Sequence, residues 1–183
     1  MALSESEKKA LLDMARATIE GCVRTGKIPS FKADSPGLSE ARGAFVTIKK
    51  GGNLRGCIGV FDADKPLYET VREMAISAAT RDPRFQPVWP AELNGITIEI
   101  SALTPLRRVS DPGEIEVGRH GIYIIKGRNR GVLLPQVAIE CGFDRDTFLR
   151  QTCLKAGLDP ASWKEGAEIY VFEAEVFSEG GRG

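Results

Sequence analysis

The sequence predicts an α+β fold whose strands are joined mainly as hairpins, with helices flanking them. Three observations carry this reading. Short segments alternate apolar and polar residues, as in Ile96, Ile98, Ile100 and Ala102 against Thr97, Glu99 and Ser101. Other segments repeat apolar residues at helical spacing behind a capping residue. Turn residues such as Gly51-Gly52-Asn53 lie directly between strand segments, and hairpin joints require antiparallel pairs.

In chain order, Ser4 or Ser6 caps a first helix, and Ser4 with Glu7 has capping-box spacing. Leu11, Leu12, Ala15, Ile19, Cys22 and Val23 form its apolar stripe, which makes Cys22 a core residue, and Gly26 ends it. Lys27 to Arg42 reads as loop. Ala44 to Lys49 and Leu54 to Phe61 form a hairpin. Asp64 caps a second helix with Pro66 in its first turn, ending near Arg81 because Pro83 disfavours helical geometry at Asp82. Asp82-Pro83-Arg84-Phe85 is an exposed corner. After the strand Ile96 to Leu103 come turns at Asp111-Pro112-Gly113 and Gly118 to Gly121. A second hairpin follows, Ile122 to Lys126 and Val132 to Leu134, and then a short helix, Gln136 to Glu140, opened by Pro135. Asp144 or Asp146 caps the next helix, with Cys153 on its buried side, and Gly157 stops it. Trp163 covers the core edge, Glu168 to Phe177 is a last strand, and residues 179–183 are a mobile tail. FVTIKKGGNLRG (45–56) and IYIIKGRNRG (122–131) echo each other, which suggests a duplicated hairpin-plus-helix unit or two similar hairpins.

Composition bounds the function. The chain has 183 residues, 42% hydrophobic and 27% charged, with 25 Lys+Arg against 25 Asp+Glu. That is one domain over residues 1–183, with no net attraction to nucleic acid or to anionic lipid. No apolar run is long enough to span a bilayer, and the start carries no secretory signal, so the expected location is cytoplasmic, with reduced thiols. The four cysteines show no C-x-x-C spacing and there is one histidine, so no metal site is expected. A Rossmann fingerprint and a P-loop are both absent, which leaves any cofactor unknown.

The chemistry centres on Asn53-Leu54-Arg55-Gly56-Cys57-Ile58-Gly59. Strand alternation puts Arg55 and Cys57 on one face, where a cation favours the reactive thiolate. Gly56 and Gly59 leave bare backbone that a ligand or another strand can approach. The plainer reading is a buried cysteine in a glycine-softened strand. Glu99 is a candidate base or a surface carboxylate, and Asp82 with Arg84 is a candidate anion site or a local ion pair. Lys126, Arg128 and Arg130 are a candidate phosphate site or, with no aromatic residues interleaved, a solvated hairpin tip.

Leu54-Arg55-Gly56-Cys57-Ile58-Gly59 (LRGCIG), Asp82-Pro83-Arg84-Phe85, Val117 to Ile122 and Leu133 to Ala138, in that order, resemble the motifs of the AMMECR domain family, named for the AMME chromosomal region. The similarity runs over roughly residues 8–178, and Phe143 stands where many members have tryptophan. The prokaryotic branch is called AmmeMemoRadiSam system protein A. The resemblance implies an α+β fold in two lobes with the hallmark lining a cleft, an unsettled biochemical activity, and partners of two kinds: a Memo-like protein related to extradiol dioxygenase subunits, and a radical SAM protein. It also raises His120, otherwise a lone turn histidine, to candidate base for Cys57.

Two readings follow. In the first, the cleft is an enzyme or small-ligand site: Cys57 is nucleophile or redox thiol, Arg55 and Arg84 hold an anionic group, His120 is the base, and Glu99 and Gln136 are secondary ligand-binding candidates with Gly56, Gly59 and Asp82. In the second, the same surface docks a protein partner or delivers a substrate to it without catalysis.

Overall fold

We describe the protein from a computed structural model, over residues 2–61 and 64–180. The elements run α1 (Glu5–Thr25), α2 (Pro36–Ser39), β1 (Ala44–Lys50), β2 (Asn53–Val60), α3 (Leu67–Thr80) and β3 (Ile96–Leu103). They continue as β4 (Arg107–Val109), β5 (Gly121–Lys126), β6 (Asn129–Leu133), α4 (Pro135–Glu140), α5 (Arg145–Lys155), β7 (Glu168–Phe172) and β8 (Ala174–Ser178). The chain divides into two compact units. The first comprises residues up to Leu103 and those from Glu175 onward, and the second comprises Thr104–Ala174.

The first unit is a four-stranded sheet ordered β2-β1-β3-β8, with α1 and α3 packed against it. Val46 and Ile48 of β1 and Ile98 and Ile100 of β3 are fully buried among Leu11, Ile19, Val71 and Ala75 of those helices. The Ser4 hydroxyl accepts from the Glu7 amide while the Glu7 carboxylate accepts from the Ser4 amide, so the capping box closes α1 at its start. Gly26, at φ 70°, closes it at its end. The second unit is a sheet ordered β4-β7-β5-β6 over its own core, in which Ile122, Ile124, Phe148 and Cys153 are buried and Trp163 packs at the margin, as does Phe143.

The α+β class and the antiparallel hairpins hold: β1 pairs antiparallel with β2 and β3, and β5 with β6 and β7. Six details differ from the sequence reading. The loop 27–42 contains the helical turn α2, opened by Pro36. Pro66 is the N-cap of α3, with no side-chain cap, so Asp64 does not start that helix. β4, too short to show alternation, pairs with β7. Cys22 is only half-buried, because it lies in the last turn of α1, whereas Cys153 is buried as expected. The strand expected over 168–177 is two strands, β7 in the second sheet and β8 in the first. At the switch Thr104 donates its amide to the Glu173 carbonyl, and its Oγ1 accepts from the Glu173 amide. The alternation of Tyr170, Phe172, Ala174 and Val176 runs straight through that point and hides it. Of the tail, Glu179 is tied down: its carboxylate accepts from Arg16, which is 7% exposed, and from the Ile98 amide. Residues 181–183 lie outside the described residues.

The echo between the hairpins has a physical basis. In each unit the second hairpin strand is an edge, the first is its inner neighbour, and a later strand (β3 or β7) returns on the other side of the first. In each, a helix lies directly on a glycine of the edge strand. A Cβ on Gly56 would overlap the Ala78 carbonyl oxygen of α3, and one on Gly131 would overlap the Thr152 carbonyl oxygen of α5. Arg55-Gly56 and Arg130-Gly131 thus mark the same packing need. Gly56→Ala and Gly131→Ala should each destabilise the fold by roughly 1–3 kcal/mol through overpacking against helix backbone. Gly95→Ala, where a Cβ meets open space, is the control, and urea denaturation compares the three.

Candidate functional site

β2 is an edge strand, and Cys57 is paired with Thr47 of β1. The outward-facing amide and carbonyl of Cys57 have no strand to meet. They meet an ion pair instead. The Cys57 amide donates to Asp82 Oδ2 at 2.8 Å, and Arg84 Nη2 donates to the Cys57 carbonyl at 3.1 Å. Arg84 Nε and Nη2 also donate to the two oxygens of Asp82, at 3.0 and 2.7 Å. The two side chains therefore act as a short surrogate strand. The Asp82 carboxylate is 2% exposed, and the Arg84 guanidinium holds its carboxyl far below the usual range, helped by the Cys57 and Arg84 amides and opposed by burial. Pro83 stops α3 just before this corner, which is how Asp82 and Arg84 come to face the strand.

On the thiol's own row, three side chains stand in register across the sheet: Cys57 beside Thr47, and Thr47 beside Glu99 of β3. Thr47 Oγ1 donates to Cys57 Sγ at 3.2 Å, and Glu99 accepts from Lys49 Nζ at 2.8 Å. The next row is Gly59, Phe45 and Ser101. Gly59 is bare because the Phe45 ring occupies the space a Cβ would take, and Phe45 meets Phe61 edge-on at 4.9 Å between centroids. Thiol, hydroxyl, carboxylate and amine thus share one side of the sheet, with an aromatic pair at one end.

Arg55 is placed otherwise than strand alternation suggests. The β1–β2 register shifts between Ile48 and Lys49, so Ile48 faces Gly56, Lys49 faces Leu54, and Arg55 has no cross-strand partner. Its guanidinium grips Glu92 through Nε (3.1 Å) and Nη2 (2.9 Å) and donates to the carbonyls of Gln86 and Pro87. Lys50 Nζ and the Trp89 amide also donate to Glu92, each at 2.9 Å. Arg55 above all, then the Trp89 amide and Lys50, lower the Glu92 carboxyl to about 2. Arg55 therefore serves the loop after α3.

His120 and Gln136 belong to the second unit, and Cys57 to the first. His120 is 5% exposed, and its Nδ1 accepts the Glu116 amide at 3.0 Å. That fixes the tautomer: the neutral ring carries its proton on Nε2, which lies 3.9 Å from Glu173 Oε1. Burial, above all, lowers its pKa. Neither nitrogen offers a free lone pair, so the ring as held is a turn-fixing group. Gln136 sits half-buried in the first turn of α4. Thr47 and Glu92, which the sequence reading passed over, complete these contacts. Thr47 follows from hairpin register, whereas Glu92 lies in a short 3-10 helix, Pro90–Gly95, and carries no signal. No cluster of three or more His, Cys, Asp or Glu able to hold a metal occurs among the described residues.

The arrangement can be compared with known proteins. The model of the AMMECR1 family matches residues 12–177. The chain belongs to the AMMECR1 family. It is 44% identical to a Methanosarcina mazei protein, covering 97% of this chain and 94% of that protein. It is 48% identical to one from Methanopyrus kandleri, covering 97% and 90%. The crystal structure of an uncharacterised Pyrococcus horikoshii protein matches with a TM-score of 0.78 at 41% identity, over 92% of this chain and 89% of that one. The family match takes in every candidate residue, and the protein is an AMMECR1-domain protein of unknown activity.

The depressed Asp82 carboxyl has a stability consequence. Its contribution is complete above the unfolded carboxylate value of about 4 and is lost as the pH falls below it. Asp82→Asn should cost a few kcal/mol at pH 7, on the order of 3, because Arg84 and the Cys57 amide lose their anionic partner. The gap between wild type and variant should narrow on acidification below about pH 4. Denaturant midpoints across pH check both points.

Proposed function

We propose that this AMMECR1-family protein works through the Cys57 side of its first sheet, presenting a positioned thiol to a small ligand in a pathway shared with a Memo-like, dioxygenase-related protein and a radical SAM protein. One observation carries the reading. The backbone of Cys57 is held at both amide and carbonyl by the Asp82–Arg84 pair, while its sulfur accepts from the Thr47 hydroxyl. A hydroxyl donor on sulfur and a fixed backbone together set the direction in which the thiol is presented. Lys49 and Glu99 stand next along the sheet to orient a polar substrate. His120 is not needed as base. The partners rest on the resemblance of the motifs to the prokaryotic branch of the family. The cytoplasmic assignment accords with four free cysteines, and no helix among the described residues is long and apolar enough to cross a membrane. The alternative is a docking or substrate-delivery module in which Cys57 is inert.

Thiol chemistry separates the two. With Cys22 and Cys141 changed to Ser and Cys153 to Ala, iodoacetamide should label Cys57 in the folded protein. Thr47→Val should slow labelling about two- to tenfold, the range implied by losing one hydrogen bond. Labelling that requires unfolding, or a rate indifferent to Thr47→Val, favours the docking module. Co-purification with Memo-like and radical SAM proteins checks the pathway separately.

A further inference from the structure

The corner that clamps Cys57 continues, beyond Arg84, into a surface around Trp89 that makes no contact with the thiol. Trp89 is 67% exposed, although an indole is a large apolar group to leave in water. It is held there. Its amide donates to Glu92, Glu92 is gripped by Arg55 and Lys50, and Pro87 and Pro90 restrict the backbone on either side. Earlier in the same loop, the Phe85 ring lies 6.0 Å from the Arg55 guanidinium carbon and 5.5 Å from that of Arg84.

The charge of this surface is one-sided. Between Arg81 and Glu92 the acids are Asp82 and Glu92, with side chains 2% and 15% exposed, both engaged by guanidinium groups. The cations face water: Arg84 is 53% and Lys50 51% exposed, and Arg81 is exposed. The Trp89 loop is thus tied through Glu92 to Lys50 and Arg55, with Arg84 sharing the Phe85 ring with Arg55, and the two carboxylates of this stretch are withdrawn from solvent. Arg84 further donates no bond from Nη1 among the described contacts, which leaves one side of its fork open.

From this charge pattern we infer that the Trp89 corner is a docking surface for an acidic peptide segment of a partner protein that carries an apolar side chain for the indole. Exposed aromatic and arginine side chains that are already ordered lose little entropy on binding and supply the strongest interface contacts. Complementary charge brings the acidic segment in and excludes basic ones. A peptide fits better than nucleic acid. Three exposed cations, Arg81, Arg84 and Lys50, do not make a phosphate track, and the chain carries equal numbers of acids and bases.

The test is fluorescence anisotropy of the full chain at physiological salt. The probe is a fluorescein-labelled heptapeptide with three glutamates on each side of one phenylalanine. Saturable binding is expected, with Trp89→Ala weakening it about tenfold and Lys50→Glu also weakening it. Trp163→Phe and Cys57→Ser should leave it unchanged, the latter separating this surface from the thiol. Circular dichroism verifies that each variant is folded. Equal binding of the glutamine version of the peptide, or indifference to Trp89→Ala, overturns the inference. So does displacement of the probe by a single-stranded oligonucleotide of equal charge at equal concentration, which would assign the corner to nucleic acid.

Discussion

The bidentate pair of Asp82 and Arg84 against the backbone of Cys57 is the contact on which the arrangement around Cys57 in the first unit depends. An edge strand with free amides and carbonyls is a hazard, and proteins close such edges in many ways. Here closure is done by two side chains from the turn after the helix that packs on the same strand. α3 lies on Gly56, ends at Thr80 just ahead of Pro83, and hands over an acid and a base that finish the strand one residue further on. Glycine, proline, aspartate and arginine in the two motifs are therefore parts of one joint. A buried carboxylate is tolerable only because it is fully paired, which ties the position of Cys57 to an all-or-none interaction.

A second hub, built on Glu92, organises the neighbouring loop by the same physics. Arg55, Lys50 and the Trp89 amide converge on one carboxylate, and the loop between α3 and β3 takes its path from that convergence. Arg55 and Arg84 share the Phe85 ring, so the two hubs touch. The cation of the hallmark and the cation of the corner each have a structural partner, and only Arg84 keeps a large exposed fraction.

How much of this the sequence disclosed follows from the range of each interaction. The α1 capping box, the Gly26 stop, the two hairpins, the Asp144 cap and the buried face of α5 are local, and each was legible from spacing. The exchange of strands at Glu173 was not, because side-chain alternation is the same whichever sheet a strand joins. The bulge at Arg55 was not, because a one-residue register shift leaves no mark in composition, and it removed the basis for placing Arg55 beside the thiol. His120 was visible as a motif residue, but its tautomer depends on where the Glu116 amide points. Cys57, Asp82 and Arg84 were each singled out, yet their union required knowing that β2 is an edge.

The return of the chain to its first sheet has a bearing on how the protein is made. Arg16 and Arg42 are 7% and 2% exposed, and their carboxylate partners are Glu179 and Glu175, which follow the whole of the second unit. The Leu3 amide also donates to Glu175. During synthesis the ribosome delivers both cations and most of their sheet long before either acid exists. Until then the early segment offers Arg16 only Glu20, at 3.9 Å, and the Leu93 and Ile96 carbonyls, and offers Arg42 the Leu103 carbonyl, without the carboxylates that complete their burial. The middle unit, continuous from Thr104 to Ala174, can fold while the flanking one waits, reversing the order in which the two leave the exit tunnel.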